Sequence, residues 1–323
     1  MPDRFKAIAA KAGPFLGLLL VIALFSLAVK PDSDGQAIFL TYHNFKTIFT
    51  QTVIVAIGAI GMTLIIISGG IDLSAGSSIA FGSVVGALLI KNGAGPWTAL
   101  AAMIGAGGLI GLLNGVMIAK LRLVPFIITL GMLCVVRGAA QKLGNNQTVN
   151  YDSSPINDWM TTADPRGYAL PAGVWVVIAL AIVTTLVLRR TVFGRHLFAL
   201  GSNEATARLC GVPTQRLKVL VYALAGCFFG LAGAFQLSRL TQGDPTVAVG
   251  LELDIIAAVI IGGASLNGGV GTILGSMIGA LTMAILRNGA VLMEWSNADQ
   301  LIIVGIVIII AVYVDHWRQE RRA

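Results

Sequence analysis

The chain is 323 residues long, 56% hydrophobic and 11% charged, with a mean hydropathy of +0.85. A soluble domain carries about 25% charged residues, so this chain cannot cover a water-facing surface and its solvent is lipid. Leu/Ile/Val/Ala/Gly runs without strict alternation argue against an outer-membrane barrel. The net charge of +7 comes with no basic stretch interleaved with aromatics, which argues for Lys/Arg bias in cytoplasmic loops and against nucleic acid.

The N-terminal MPDRFKAIAAKAG precedes the apolar PFLGLLLVIALFSLAV. It opens like a signal peptide but lacks a convincing cleavage site, and Lys30-Pro31 follows the apolar run, so it reads as a retained first span. Apolar runs place spans at 14–29, 47–68, 77–90, 97–119, 123–140, 172–188, 219–238, 253–264, 270–286 and 299–314, about ten in all. The third, eighth and ninth fall short of the ~20 residues of a full crossing and flank Gly-rich breaks. The expected fold class is all-α: a polytopic helical membrane protein, one transmembrane domain over 1–323.

With the N-terminus inside, Arg4, Lys6, Lys11, Lys120, Arg122, Arg189, Arg190, Arg195, Arg208, Arg216, Lys218, Arg318, Arg321 and Arg322 lie inside, 14 of the 22 Lys and Arg. That bias puts both termini in the cytoplasm and makes the span count even. Segment 141–171 is then a loop on the outer side, with Asp152, Asp158, Asp164 and the turn-forming NNQ, SSP and ADPRG. Trp97, Trp175 and Trp295 fall near outer ends and Trp317 near an inner end, as an aromatic belt expects.

An internal repeat runs through the breaks. GGIDLSAGSSIAFGSVVGAL (69–88) matches GGASLNGGVGTILGSMIGAL (262–281) at nine of twenty positions without gaps, and KNGA (91–94) answers RNGA (287–290). Paired Gly-interrupted segments in two halves point to a transport pathway. Gly107, Gly111 and Gly115, and Gly271, Gly275 and Gly279, are spaced by four, which favours close helix packing.

Asp72, in GGIDLSAG, is costly against lipid. Two readings stand together: an N-cap accepting from N–H groups near Ser74 and Ala75, and a helix break beside the pathway. Ser265 and Asn267 occupy the matching places in the second copy, which keeps a polar capping residue but no carboxylate. Glu252 and Asp254 open the eighth span, as cap or gate-lining residues, with Arg239, Asp244 and Pro245 at an external mouth. Asn114 lies within a span, with interhelical hydrogen bonding as its default role. No catalytic, metal or cofactor constellation is expected: GxxxxGK[ST], HExxH and GxSxG are absent, the three histidines are scattered, and Cys134, Cys210 and Cys227 form no cluster. If ATP powers the protein, another chain must bind it.

Segment 189–218 lies inside and is too ordered for a plain linker. Ser202 or Asn203 can N-cap a short helix, with Glu204 in its first turn, Arg208 in its last and Gly211 at C′. Pro213 permits a new start into the seventh span. Ala205, Leu209 and Val212 make a small apolar stripe that fits a partner's groove.

Within this segment, GRHLFALGSNEATARLCGV resembles the cytoplasmic coupling loop of sugar-type ABC importer permeases, the ribose permease family. GMTLIIISGGIDLSAGS, GLLNGVMIAKLRLVPFIITLGML, YALAGCFFGLAGAFQLSRL and GLELDIIAAVIIGGASLNGGVGTILGSMIGAL agree in the same order, so the resemblance covers roughly 45–315. Cys210 and Ala205-Thr206 are small departures. The resemblance implies a permease subunit that pairs with a second copy or a different permease chain, sits on a cytoplasmic ABC ATPase and receives a monosaccharide from a periplasmic binding protein, and it makes the outer loop 141–171 periplasmic. It implies a coupling role for Gly201, Asn203, Glu204, Ala207, Arg208 and Gly211, and a pathway or bracing role for Asp72 and Ser74. The runner-up is a proton- or sodium-coupled secondary transporter of a small polar solute, with Asp72 as its one strong candidate.

Overall fold

In lipid a segment must satisfy its own backbone hydrogen bonds, which favours helix wherever the chain is apolar. The computed structural model describes residues 2–31, 37–160 and 169–320, and twelve α-helices fall within them. They are α1 (Pro2–Ala28), α2 (Tyr42–Ile67), α3 (Ala75–Lys91), α4 (Pro96–Lys120), α5 (Pro125–Leu143), α6 (Ala172–Arg190), α7 (Val192–Ser202), α8 (Glu204–Leu209), α9 (Thr214–Leu240), α10 (Leu251–Ile261), α11 (Ile273–Leu292) and α12 (Asn297–Glu320). Six of these, α2, α4, α5, α6, α9 and α11, have the length and hydropathy to cross a membrane. The chain is thus a helical polytopic membrane protein.

α2 is apolar on every side and its most apolar window is 89% buried, so it forms the centre of the bundle. α9 packs along α4, α3 and α2. The Gly107/Gly111/Gly115 stripe of α4 does bring backbones together: a Cβ on Gly107 would strike the Gly226 carbonyl, and one on Gly111 the Tyr222 carbonyl. α9 supplies its own small residues there, Gly226 and Gly230. On α11, Gly275 and Gly279 lie against the carbonyls of Gly262 and Ala258. By contrast α5 and α6 have windows only 17% and 22% buried, with Phe126, Ile127 and Ile182 exposed. Those faces need lipid or another chain over them.

The described residues 149–160 are tied to the far end of α9. Strand β1 (Val149–Asn150) pairs antiparallel with β2 (Gln242–Gly243), Val149 opposite Gly243. Met160 N donates to Ser238 Oγ at 3.1 Å, and the Trp159 ring lies 5.8 Å from Phe235 and 6.1 Å from Trp97. Asp164 with ADPRG, Arg321 and Arg322 lie outside the described residues, as do the side chains of Arg4, Lys6, Lys11, Trp317 and Arg318.

Several expected boundaries are corrected. α2 begins at Tyr42 rather than 47, and α11 runs Ile273–Leu292 rather than 270–286. Helices start where a donor is capped, not where apolarity starts: Thr41 Oγ1 accepts from Asn44 N, and Thr272 Oγ1 from Gly275 N. α10 ends at Ile261, with Gly262 as C-cap and Gly263 left-handed at φ +87°, rather than reaching 264. Residues 192–202, expected as loop, form α7. The repeat also departs from its ungapped alignment. Gly69 (φ +80°) and Gly263 are the left-handed residues that end their helices, an offset one larger than the alignment. KNGA terminates α3, because Gly95-Pro96 opens α4 just after it, while RNGA is helical within α11.

Candidate functional site

Three clusters carry the polar chemistry. The first is the break between α2 and α3. Asp72, Ser74 and Asn114 are all at most 1% exposed. Asp72 Oδ1 accepts from Ser74 N at 2.8 Å and Ser74 Oγ at 2.6 Å. Asn114 Nδ2 donates to Asp72 Oδ2 at 3.2 Å and to Ser74 Oγ at 2.9 Å. Tyr222 donates its hydroxyl to Ile71 O at 3.2 Å. The break is therefore held to both α4 and α9. The N-cap reading of Asp72 is corrected: α3 starts at Ala75, Ser74 holds the N-cap position without a side-chain cap bond, and Asp72 closes the turn before it. The second copy keeps the turn with a weaker acceptor, Asn267 N donating to Ser265 Oγ at 3.3 Å. The α12 residue Asp315 accepts from Leu266 N at 3.4 Å within the same break.

The second cluster surrounds the start of α10. Glu252 and Asp254 share a turn but not a partner. Asp254, 1% exposed, pairs with Arg287 of α11, Oδ2 to Nη2 at 2.5 Å. Glu252 Oε1 accepts from Gly250 N at 3.2 Å, while Oε2 lies against Gly76 in the first turn of α3, where a helix N-terminus favours negative charge. Arg137 of α5 donates to Pro245 O at 2.9 Å and Val247 O at 2.6 Å, clamping the loop that leads into α10.

The third cluster is the coupling segment. Asn203 Oδ1 accepts from Thr206 N at 2.9 Å and caps α8; Ser202 ends α7 instead. Gly211 adopts φ +83°, as a C′ residue requires. Glu204 receives Arg208 at 3.0 Å and Lys218 of α9 at 2.6 Å. Burial pushes the Glu204 carboxyl up, but the hydrogen bonds and charges of Lys218 and Arg208 outweigh it and hold the group below its ordinary value. The apolar stripe is corrected: Val212 turns inward with Ala207, leaving Leu209 at 89% exposure beside exposed Ala205. Arg122, Glu204, Arg208 and Lys218 line one cleft of about 280 Å³ against the α4–α5 junction, so four of the charges around this junction and the segment gather at one end of the bundle.

Gly201, at the end of α7, meets both breaks. A Cβ there would strike Ile67 O and lie 2.5 Å from Gly269 N, and Gly269 N itself donates to Ile67 O at 2.9 Å. A Cβ on Gly268 would lie 2.7 Å from Gly201 O and 2.9 Å from Gly69 Cα. Four glycines thus join the coupling segment, the α2–α3 break and the α10–α11 break backbone to backbone.

Sequence reasoning brings Asp72 and Ser74 forward together and Asn114 apart from them, and the structure unites the three. It missed Tyr222, Gly268 and Gly269 as contacts, and Arg287 and Arg137 as site residues. For the two arginines a signal existed, since a charge inside an apolar span is a functional candidate by default. Arg287 was seen only as part of RNGA.

Residues 44–312 match the family described as branched-chain amino acid transport system / permease component. The ribose import permease protein RbsC of Escherichia coli (strain K12) is 38% identical over 317 residues, covering 97% of this chain and 96% of that protein. RbsC of Bacillus subtilis (strain 168) is 38% identical over 318 residues, 97% and 94% of the two chains. The L-arabinose ABC transporter permease protein AraH of Azospirillum brasilense is 35% identical over 312 residues, 97% and 89%. No solved structure matches.

Proposed function

The chain belongs to the family of sugar ABC transporter permeases, and from that premise we propose that it is the membrane-spanning subunit of an ATP-driven importer. Its cargo is a monosaccharide, ribose-, xylose- or galactose-like, carried from periplasm to cytoplasm by alternating access. The protein is a multi-pass protein of the bacterial inner membrane. Ten spans (α1 to α6 and α9 to α12) with both termini cytoplasmic fit the Lys/Arg bias. In this layout 189–218 is the cytoplasmic coupling loop and 141–171 the periplasmic loop of a single permease domain. The partners are a cytoplasmic ABC ATPase, a periplasmic sugar-binding protein, and a second permease chain, either a copy of this one or a different one, with lipid around the rest.

The observation that carries this reading is the four-glycine contact. A docked ATPase gripping α8 moves Gly201, and no side chain stands between Gly201 and Ile67 or Gly269 to absorb the displacement. Packed backbones switch between discrete arrangements rather than deforming smoothly. ATPase closure therefore biases both breaks together, and the free energy for alternating access enters from the ATPase side. The binding protein supplies affinity for the sugar, so the permease need not hold its cargo tightly.

Reconstitution with the ATPase and the binding protein tests the proposal. Uptake of labelled D-ribose or L-arabinose is expected to require ATP and all three proteins. Uptake by this chain alone, driven by a proton or sodium gradient, would overturn it.

A further inference from the structure

At the inner end of the bundle one cleft carries more positive charge than the protein itself neutralises. It measures about 280 Å³, and part of its apolar lining comes from the α4–α5 junction, Leu123 and Pro125 included. Arg122, Arg208 and Lys218 bring three cations to it and Glu204 a single carboxylate. Glu204 takes up Arg208 and Lys218. Arg122 makes no ion pair and no side-chain hydrogen bond among the described residues. Its backbone is left-handed, at φ +56°. Glycine or asparagine holds that conformation at lower cost, so the turn alone does not call for arginine. Beyond Leu123 an exposed, uncharged surface continues through Val124 into α5, where Phe126, Ile127 and Leu130 share one side of the helix.

We infer that this cleft holds the headgroup phosphate of an anionic phospholipid of the cytoplasmic leaflet, with an acyl chain on the exposed side of α5. The inference needs only that this end of the bundle faces the cytoplasm, which the Lys/Arg bias favours, and it goes beyond the importer reading. A guanidinium fork pairs with two phosphate oxygens, and Arg122 has its fork free for them. Basic pockets between helices at the cytoplasmic side are suited to such headgroups. A zwitterionic headgroup fits worse, because it sets its own cation among three others. A soluble phosphate or an acidic protein segment answers the charge but leaves the apolar side of α5 uncovered. A phospholipid answers both at once. Its phosphate, set between Arg122 and the Arg208–Lys218 side of the cleft, ties the α4–α5 junction to the coupling segment. The bland alternative is a solvated basic loop with no particular ligand.

The full-length chain, purified in a non-ionic detergent and freed of lipid, is titrated with short-chain phosphatidylglycerol. Phosphatidylcholine of the same chain length, glycerol 3-phosphate and hexaglutamate are titrated beside it, and native mass spectrometry counts what each chain retains. The parent is compared with Arg122→Gln and with Arg195→Gln, which removes an equal charge from α7 outside the cleft. A lipid site predicts that the parent retains phosphatidylglycerol at one saturable site, on the order of 10-fold more tightly than the other three probes. Arg122→Gln should weaken that binding about 5-fold, the worth of one cation at an anionic lipid surface, and Arg195→Gln should leave it nearly unchanged. Equal weakening by the two variants overturns the site in favour of diffuse charge. Phosphatidylcholine held as tightly reduces it to an apolar contact, glycerol 3-phosphate held as tightly makes it a soluble-anion site, and hexaglutamate held as tightly assigns the cleft to an acidic protein segment; each overturns the inference, as does a parent that retains no phosphatidylglycerol. Arg122 is exposed and unpartnered among the described residues, so its replacement spares the fold. No transport is measured, so the importer reading stands or falls separately.

Discussion

Replacing Gly201 with alanine is the sharpest probe of the coupling geometry. The new Cβ meets Ile67 O on one side and sits 2.5 Å from Gly269 N on the other. Comfortable contacts lie near 3.5 Å, so the backbone must retreat by about 1 Å from Gly269 and nearly 2 Å from Ile67. Neither neighbour is the tip of a flexible side chain. Overpacking of this kind costs about 1–3 kcal/mol, and weakening the 2.9 Å Gly269 N to Ile67 O bond adds about 1 kcal/mol. If that strain falls unequally on the two transport states, 2 kcal/mol shifts their ratio by about 30-fold. In proteoliposomes carrying the complete transporter, Gly201→Ala should hydrolyse ATP at a near-parent rate while moving several-fold less sugar per ATP. Gly107→Ala is the control. It meets the Gly226 carbonyl at the α4–α9 seam, remote in the chain from the coupling segment, and should lower the melting temperature without changing sugar moved per ATP. The reasoning is refuted if Gly201→Ala keeps parent coupling, or if both variants uncouple alike.

Asp72→Asn should accumulate sugar much as the parent does, because an amide oxygen still accepts from Ser74 and Asn114 can turn toward it the Oδ1 that lacks a partner; Asp72→Ala, which leaves Ser74 N without its acceptor, should lose most accumulation, and a complete loss in the Asn variant would favour proton coupling. The Glu204 contacts have a pH signature. Its carboxyl is held below the ordinary glutamate value, so the stabilisation is present above that value and is lost as pH falls through the lower folded-state one. Melting of the segment, followed by hydrogen exchange at Thr206 and Ala207, should thus steepen only at acidic pH in the parent and be pH-independent in Glu204→Gln. Equal pH profiles would count against the Lys218 and Arg208 contacts.

Much of the fold is legible in one sequence because lipid makes composition decisive: apolar runs had to be helices, and four-residue glycine spacing had to mean close approach. The Asn203–Gly211 caps were legible because capping is local. Asp72 was misread by two residues since Asx turns and N-caps use the same side chain and the same donors. The helicity of 192–202 was not legible because VFGRHLFALGS is too short to stand as a span and is broken by Gly194 and Arg195, and the burial of Leu197 and Leu200 depends on neighbouring helices, α6, α2 and α9, rather than on their own run. The Asp254–Arg287 pair spans two helices and could not be read from spacing. The same holds for the glycine contact: Gly69, Gly201 and Gly268 are far apart in the chain, and only the folded backbone brings them within a few ångströms.

The central claim is that 189–218 grips an ATPase. The chain should be purified in mild detergent from its own membranes, beside a Glu204→Lys, Arg208→Glu double variant, with mass spectrometry of what accompanies each. The account predicts an ABC ATPase with the parent and much less with the variant, at matched amounts of folded permease. A parent that comes alone yet still transports, or an ATPase that stays with both chains equally, would contradict it.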